Sequence, residues 1–283
     1  MNTTWLQLFD CPFQIRFADV KGRTTRVLDA GTGTPLIFLH GIGGHLEAYS
    51  RNVRSHAAHF RVIAPDFIGH GFSAKPDLEY EIPAYARHIL DLMDSMALQK
   101  AHLSGASLGG WVAAWIAANC PERVNKLVLN TAAGFDIDQH VMERIKRLSM
   151  EAVTNPTRDS VRKRLELIMA NANSVTDELV EIRYRIYSQP GMVRTTENVM
   201  CLENMEVRQR NVLAPELLRK IKAPTLVIWT TNDPIFPVEV GRRFTQYIPN
   251  SQFALMEDCG HWPQFEKAEE FNRIQLEFLL RQP

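Results

Sequence analysis

Short apolar runs alternate with amphipathic stretches along most of the chain. An apolar run bounded by turn residues predicts a strand buried on both faces, and alternation of apolar and polar positions, as in residues 13–17, predicts a half-buried strand. Apolar positions three and four residues apart predict a helix that packs on a core. The predicted strands are residues 13–17, 25–28, 35–39, 60–64, 101–103, 126–129, 225–229 and 253–256. The predicted helices of this part are residues 84–96, 108–118, 238–247 and 269–280. The alternation predicts an α/β fold, with a mostly parallel eight-stranded sheet flanked by helices.

The pattern changes between residues 135 and 211, where the strand-like runs disappear. Helical spacing instead covers residues 141–153, 160–171, 177–187 and 193–208. Thr157 and Thr176 stand at positions that are typical of N-caps. We therefore expect a core domain formed by residues 1–134 and 212–283, with a helical cap, residues 135–211, inserted into it.

Composition narrows the class of protein. The 283-residue chain has 32 basic and 32 acidic side chains, and no basic cluster with interleaved aromatics, so we expect no nucleic-acid partner. No apolar run approaches the roughly 18 residues that span a membrane, and the N-terminus lacks the basic and apolar regions of a signal peptide. The four cysteines are widely spaced, as is typical of isolated thiols in a reducing compartment: Cys11, Cys120, Cys201 and Cys259. These features predict a cytoplasmic protein that acts on a small molecule.

Ser107 lies in Gly105-Ala106-Ser107-Leu108-Gly109, between a predicted strand and a predicted helix. The glycines let the backbone pass closely on both sides, so such a turn pushes the hydroxyl out of the sheet and beside the first helical N–H groups. Alone, the pattern is often only a turn of small residues, and its chemical meaning depends on partners elsewhere in the chain. Trp111 and Trp115, four residues apart on the helix that follows, favour packing in the core.

A serine nucleophile needs a base, and the base needs a carboxylate that orients it. Asp233 and His261 each follow a predicted late strand, and the carboxyl ends of parallel strands share one edge of a sheet. We therefore predict that Ser107, Asp233 and His261 form the catalytic group, in the chain order used by α/β-hydrolases. Asp258 is the competing acid, although its closeness to His261 in sequence favours a role in capping the loop. Asp66 lies in a strand-exit turn and is interpreted as structural.

A glycine-rich loop, His40-Gly41-Ile42-Gly43-Gly44, directly follows another predicted strand. Acyl transfer creates an oxyanion that needs fixed N–H donors, and a glycine-rich loop can bring backbone amides close to the nucleophile. We predict the amides of Leu108 and Ile42 as these donors, with that of Gly43 as the alternative. The competing interpretation is a plain strand-exit turn, and His40 is interpreted as a brace for the loop.

Together these residues resemble the α/β-hydrolase superfamily over essentially the whole chain. Gly260-His261-Trp262 is similar to a segment of the meta-cleavage product hydrolases, which cleave a carbon–carbon bond in ring-fission products of aromatic degradation. The stretch of residues 176–184, followed by Gln189-Pro190-Gly191, resembles the segment with that family's substrate-binding arginine, which Arg183 matches by position. The resemblance implies that Arg183 binds the carboxylate of a 2-hydroxy-6-oxo-2,4-dienoate and that Trp262 lines its pocket. It also implies substrate contacts at Gly41 and Ala106, no metal or organic cofactor, and a homodimer.

Two segments depart from the family's pattern. Ala106 stands where the family usually has asparagine, and Ile42 and Gly44 interrupt a loop that usually contains proline. Either departure could favour a different dienone or ordinary ester hydrolysis. Three functions therefore stay open: a carbon–carbon bond hydrolase whose serine attacks C6 or activates water, a carboxylesterase or lactonase with the same catalytic group, and a non-catalytic ligand-binding homologue.

Overall fold

A computed structural model gives the fold, and it describes residues 3–135 and 138–281. Residues 1, 2, 136, 137, 282 and 283, which the predicted core and cap ranges include, lie outside the described residues. Over the described part, eight strands form one sheet: β1 Phe13–Val20, β2 Arg23–Ala30, β3 Pro35–Leu39, β4 Arg61–Pro65, β5 Ala101–Ala106, β6 Val124–Asn130, β7 Thr225–Thr230 and β8 Ser251–Met256. All eight predicted strands are present, each within a few residues of its expected bounds.

The sheet has the order β1-β2-β4-β3-β5-β6-β7-β8. β2 pairs antiparallel with β1 and β4, and every pairing from β4 through β3 to β8 is parallel. The central strands β5 and β7 are buried along their whole length, because helices cover both faces of the sheet. The predicted mostly parallel eight-stranded sheet is confirmed.

The helices are α1 Thr4–Leu8, α2 Ser50–Ala57, α3 Ile82–Ser95, α4 Leu108–Asn119, α5 Gln139–Thr154, α6 Arg158–Glu166, α7 Asp177–Tyr187, α8 Met192–Val199, α9 Met205–Asn211, α10 Pro215–Leu218, α11 Val238–Tyr247, α12 Pro263–Glu266 and α13 Ala268–Leu280. Short 3₁₀ turns occur at Leu46–Tyr49, Pro121–Arg123, Ala172–Ser174 and Met200–Glu203. Helices α5 to α9 lie between β6 and β7 in the chain, and we refer to them as the inserted helices.

The inserted helices differ from the sequence expectation in two places. The helix expected at residues 193–208 is two helices, α8 and α9, because the Asn204 side chain accepts N–H bonds from Glu206 and Val207 and so caps a new helix. The helix expected at residues 160–171 ends at Glu166. Beyond it, the backbone bonds to the loop that holds His261 instead of continuing the helix. Thr157 and Thr176 are the N-caps of α6 and α7, as expected.

The core contains several buried histidines. Burial lowers the pKa of six of them: His56, His70 and His102 to about 4, His88 to about 3, and His40 and His45 in the same direction. Each is therefore neutral in the folded protein at neutral pH but takes up a proton near pH 6.5 when the chain unfolds.

These histidines predict that the protein loses stability in mild acid. Because the folded pKa values are depressed, the stabilisation is complete above pH 6.5 and is lost as the pH falls from 6.5 towards 4. We expect the free energy of unfolding to drop by at least about 2 kcal/mol between pH 7 and pH 5. Urea unfolding followed by circular dichroism at both pH values measures the change, and an equal or higher stability at pH 5 would contradict the expectation.

Candidate active site

Ser107 occupies a strained turn between β5 and α4. Its φ is 52°, a left-handed conformation that an L-residue adopts only where the surroundings impose it. The turn is possible only because Gly105 and Gly109 lack side chains. A Cβ on Gly105 would lie 2.2 Å from the Gly109 carbonyl oxygen, and a Cβ on Gly109 would lie 2.0 Å from the Leu39 carbonyl oxygen. The Ser107 N–H donates to the Asn130 carbonyl at 3.0 Å, which ties the turn to β6.

His261 and Asp233 form a buried hydrogen-bonded pair at the carboxyl ends of β8 and β7. His261 Nδ1 lies 2.8 Å from Asp233 Oδ2, and the two side chains are 4% and 1% exposed. The other carboxylate oxygen, Oδ1, accepts N–H bonds from Ile235 at 2.8 Å and Phe236 at 3.2 Å. Asp258 is exposed, and its N–H donates to Thr231 Oγ1. The carboxylate that orients the His261 ring is therefore that of Asp233.

The loop that holds His261 is fixed by groups that the sequence did not reveal. The His261 N–H donates to the carbonyl of Ile168, beyond the end of α6, and the Thr131 hydroxyl donates to the His261 carbonyl. Glu266 accepts N–H bonds from Gly260 at 3.0 Å and from Ala170 at 2.9 Å. The segment that follows α6 is thus joined to the histidine loop by a main-chain hydrogen bond and by the Glu266 carboxylate.

Ser107 and His261 line one cavity beneath the inserted helices. Residues that share this cavity are mostly apolar, with two arginines among them: Gly41, Ile42, Leu108, Trp111, Ala133, Met142, Ile145, Arg164, Ile168, Leu202, Arg208, Ile235, Phe236 and Trp262. Within the described residues, no hydrogen bond joins the Ser107 hydroxyl to His261. The serine and the imidazole therefore share access to one space, and the His261–Asp233 pair is already assembled.

The glycine-rich loop after β3 passes directly beside the serine. A Cβ on Gly41 would lie 3.2 Å from Ser107 Cβ, so the loop backbone and the serine are in close contact. The N–H groups of Ile42 and Leu108 have no acceptor among the residues that the structure describes, and both residues line the cavity. Gly43 is not among the described residues that line the cavity, and its carbonyl accepts the Tyr187 hydroxyl at 3.2 Å.

His40 holds this loop in place. Its Nε2 accepts the N–H of Phe67 at 3.1 Å, so Nδ1, 2.8 Å from the Gly41 carbonyl, is the nitrogen that donates. Burial lowers the pKa of His40 well below its usual value, so the ring is neutral. Asp66 is likewise structural, since its carboxylate is fully buried and accepts N–H bonds from Leu46 and Phe72.

Arg183, on α7, is fully buried, and the structure gives its Nε and Nη2 no partner among the described residues. Its guanidinium lies 5.2 Å from the centre of the Trp262 ring, and Trp262 lines the cavity. Arg183 itself is not among the described residues that line it, and Ala106 is fully buried. Of the predicted substrate contacts, Gly41 and Trp262 thus line the cavity with Ser107, whereas Ala106 and Arg183 do not.

The arrangement matches a known family. A family model described as the alpha/beta hydrolase fold matches residues 34–268. The chain belongs to the α/β-hydrolase family. It is accordingly a hydrolase of that family, and the fold expected from the resemblance is confirmed.

Relatives within this family include meta-cleavage product hydrolases. A 2-hydroxy-6-oxononadienedioate/2-hydroxy-6-oxononatrienedioate hydrolase from Burkholderia vietnamiensis is 35% identical over 268 residues, 89% of this chain and 90% of its own. A 2-hydroxy-6-oxo-2,4-heptadienoate hydrolase from Pseudomonas putida is 29% identical over 262 residues, 91% and 93% of the two chains. The solved structure of a meta-cleavage product hydrolase from Pseudomonas fluorescens, complexed with acetates, has a TM-score of 0.81 at 29% identity, covering 94% of this chain and 97% of its own.

Some residues around the cavity were missed in the sequence. Trp111 packs in the core as expected, but it also lines the cavity one turn after Ser107, and its Nε1 donates to the Asn211 carbonyl. Arg164, which also lines the cavity, was missed. Its position in the sequence offers one clue to its burial: the buried face of α6 consists of positions 160, 161, 164 and 165, so Arg164 is a charged residue on the side of the helix that packs inward. Trp115 is only partly buried at the edge of the core.

Over residues 3–135 and 138–281, no group of three or more His, Cys, Asp and Glu side chains is arranged to hold a metal ion. No helix in the same part of the chain is both long and apolar enough to cross a bilayer.

Proposed function

We propose that this chain is a serine hydrolase that cleaves the C5–C6 carbon–carbon bond of 2-hydroxy-6-oxo-2,4-dienoates. The observation that carries the proposal is Arg183, a fully buried guanidinium with unpartnered nitrogens that lies against Trp262, a residue of the cavity that contains Ser107 and His261. An ester of a neutral acid gives such a group nothing to bind, whereas a dienoate carboxylate does. The hydrolases to which the chain is related act, by name, on substrates with this 2-hydroxy-6-oxo head.

In this proposal His261 is the base and Asp233 orients it. Because Nδ1 of His261 is held by Asp233 Oδ2, Nε2 is the nitrogen that is left to take a proton. The Asp233 carboxylate stabilises the imidazolium that forms, and its bonds to two backbone N–H groups fix its position. Ser107, raised into the cavity by its strained turn, is the nucleophile.

The oxyanion would be held by backbone amides. The unpaired N–H groups of Leu108 and Ile42 flank the serine, and fixed donors of this kind stabilise charge that develops at a carbonyl oxygen. The interaction of Tyr187 with Gly43 and the brace from His40 hold the loop from both sides. The inserted helices would act as a cap that keeps water out while the reaction proceeds.

The dienoate must gain a proton at C5 before its carbon–carbon bond can break. With its carboxylate bound by Arg183, the enol becomes a ketone as C5 is protonated, and the C6 carbonyl is then open to attack. Attack by Ser107 at C6 lets the C5–C6 electron pair leave as an enolate, which takes a proton from His261. Water then hydrolyses the acyl group from the serine, and no metal or organic cofactor is needed.

An assay on two substrate classes tests the function. We expect the purified protein to remove the absorbance of a 2-hydroxy-6-oxo-2,4-dienoate with a kcat/KM at least about 100-fold above that for p-nitrophenyl acetate. Rapid ester hydrolysis without loss of dienoate absorbance would reject the proposal in favour of a carboxylesterase or lactonase. Turnover of neither, together with no labelling of Ser107 by a fluorophosphonate, would favour a ligand-binding homologue.

A further inference from the structure

Arg164 is a second buried arginine next to the proposed reaction site. It is on α6, 2% exposed, and it lines the cavity that contains Ser107 and His261. Its Nε donates to the hydroxyl of Ser149 on α5 at 2.8 Å, while Nη1 is buried without a partner among the described residues. The guanidinium is therefore held in a fixed position with donor capacity to spare.

Nothing in the described part of the chain neutralises this charge. No Asp or Glu in that part forms an ion pair with Arg164 or Arg183. Burial is the main cause that lowers the pKa of Arg164 to about 10, and the nearby charge of Arg183 acts in the same direction. A buried, unpaired guanidinium is costly, and two that repel each other cost more, so an anionic ligand is the natural counter-charge.

The two arginines differ in their surroundings. Arg164 lines the cavity of Ser107, whereas Arg183 is not among its lining residues and its guanidinium lies 5.2 Å from the ring centre of Trp262 and 5.9 Å from that of Tyr187. A dienoate head has one carboxylate, and the proposed function assigns it to Arg183. Arg208 also lines the cavity, but its two Nη atoms donate to the main-chain carbonyls of Leu202 and Phe135. Arg164 is therefore the guanidinium that needs a second anionic group.

Resting on the proposed function, we propose that Arg164 binds a carboxylate at the far end of the C6 acyl group, so that the preferred substrate is a dianion. The cavity that Arg164 lines is mostly apolar, with Met142, Ile145 and Leu202 in its wall, which suits a short methylene chain that ends at the guanidinium. Addition of water across C5–C6 would then give C6 its hydroxyl and C5 its proton, and the acyl product would leave as a dicarboxylic acid.

A matched pair of substrates tests this assignment. 2-Hydroxy-6-oxonona-2,4-dienedioate and 2-hydroxy-6-oxonona-2,4-dienoate have equal length and end in carboxylate or methyl. We expect the wild-type protein to favour the dioate in kcat/KM by about tenfold or more, and Arg164→Met to lower that ratio by at least about 30-fold, chiefly through the KM of the dioate. Arg183→Met should lower both values and leave the ratio within about threefold, because the two substrates share the dienoate head.

Arg158→Met is the matched control, since Arg158 is on the same helix but its side chain is 63% exposed and paired with Glu181. It should leave the ratio within about twofold of the wild-type value. Thermal melting of each variant verifies that it is folded.

A wild-type protein that cleaves both dienoates without preference, or an Arg164→Met variant that loses activity equally on both, would overturn this inference and leave the proposed function intact. Failure to cleave either dienoate would instead remove the proposed function, and this inference with it.

Discussion

Replacing Ser107 with alanine is expected to lower kcat/KM for a 2-hydroxy-6-oxo-dienoate by a factor of about 10³ or more. The reason is that the variant keeps the His261–Asp233 pair and the unpaired amides of Leu108 and Ile42, but has no hydroxyl to attack C6 or to position water. The loss of dienoate absorbance at saturating and sub-saturating substrate measures kcat and KM separately. Labelling by a fluorophosphonate should disappear in the same variant.

Ser104 provides a matched control for this substitution. It lies on β5, the strand that leads into the turn at Ser107, is fully buried, and donates its hydroxyl to Gln275. Ser104→Ala should lower stability by about 1 kcal/mol, as expected for one lost hydrogen bond, while labelling at Ser107 persists. If Ser107→Ala retained activity within about tenfold of the wild type, Ser107 would be neither nucleophile nor water-positioning group.

Replacing Arg183 with alanine is the second large expected effect. We expect kcat/KM on the dienoate to fall by a factor of about 10² to 10³, because a substrate carboxylate would be buried without its charge partner. Hydrolysis of p-nitrophenyl acetate, which has no carboxylate, should fall far less, so the ratio of dienoate to ester activity is the measurement that matters.

Arg185 makes a close control for Arg183. It is on the same helix, two residues along, but its side chain is 72% exposed and pairs with Glu181 at the surface. Arg185→Ala should leave the ratio of the two activities at the wild-type value within about twofold. Equal loss on both substrates in Arg183→Ala would instead indicate damage to the fold, or a site that does not bind carboxylates.

The regular parts of the fold could be predicted because their signals are local. Burial of a parallel strand on both faces produces a continuous apolar run, and this pattern located central strands such as β3, whereas β1 was located by its alternation of apolar and polar positions. The turn at Ser107 could also be predicted, because a left-handed residue at a point where backbone segments approach closely needs glycines at fixed positions beside it. The predicted bounds of the inserted helices were less accurate where tertiary contacts competed with helical hydrogen bonds. After Glu166, the backbone donates to Glu266 and accepts from His261, and no local pattern reports such bonds.

The sequence by itself determined the α/β class, the strand-to-helix turn that presents Ser107, and a short set of acids and histidines at strand ends. Only the tertiary structure decided which of these meet: His261 pairs with Asp233 and not with Asp258, although Asp258 is only three residues away in the chain. It also decided the charge balance of the cavity, since Arg164 and Arg183 look like ordinary surface charges of a helical segment until their burial is known. The physical reason is that hydrophobic periodicity is a property of neighbouring residues, whereas the environment of a charge depends on distant elements that pack around it.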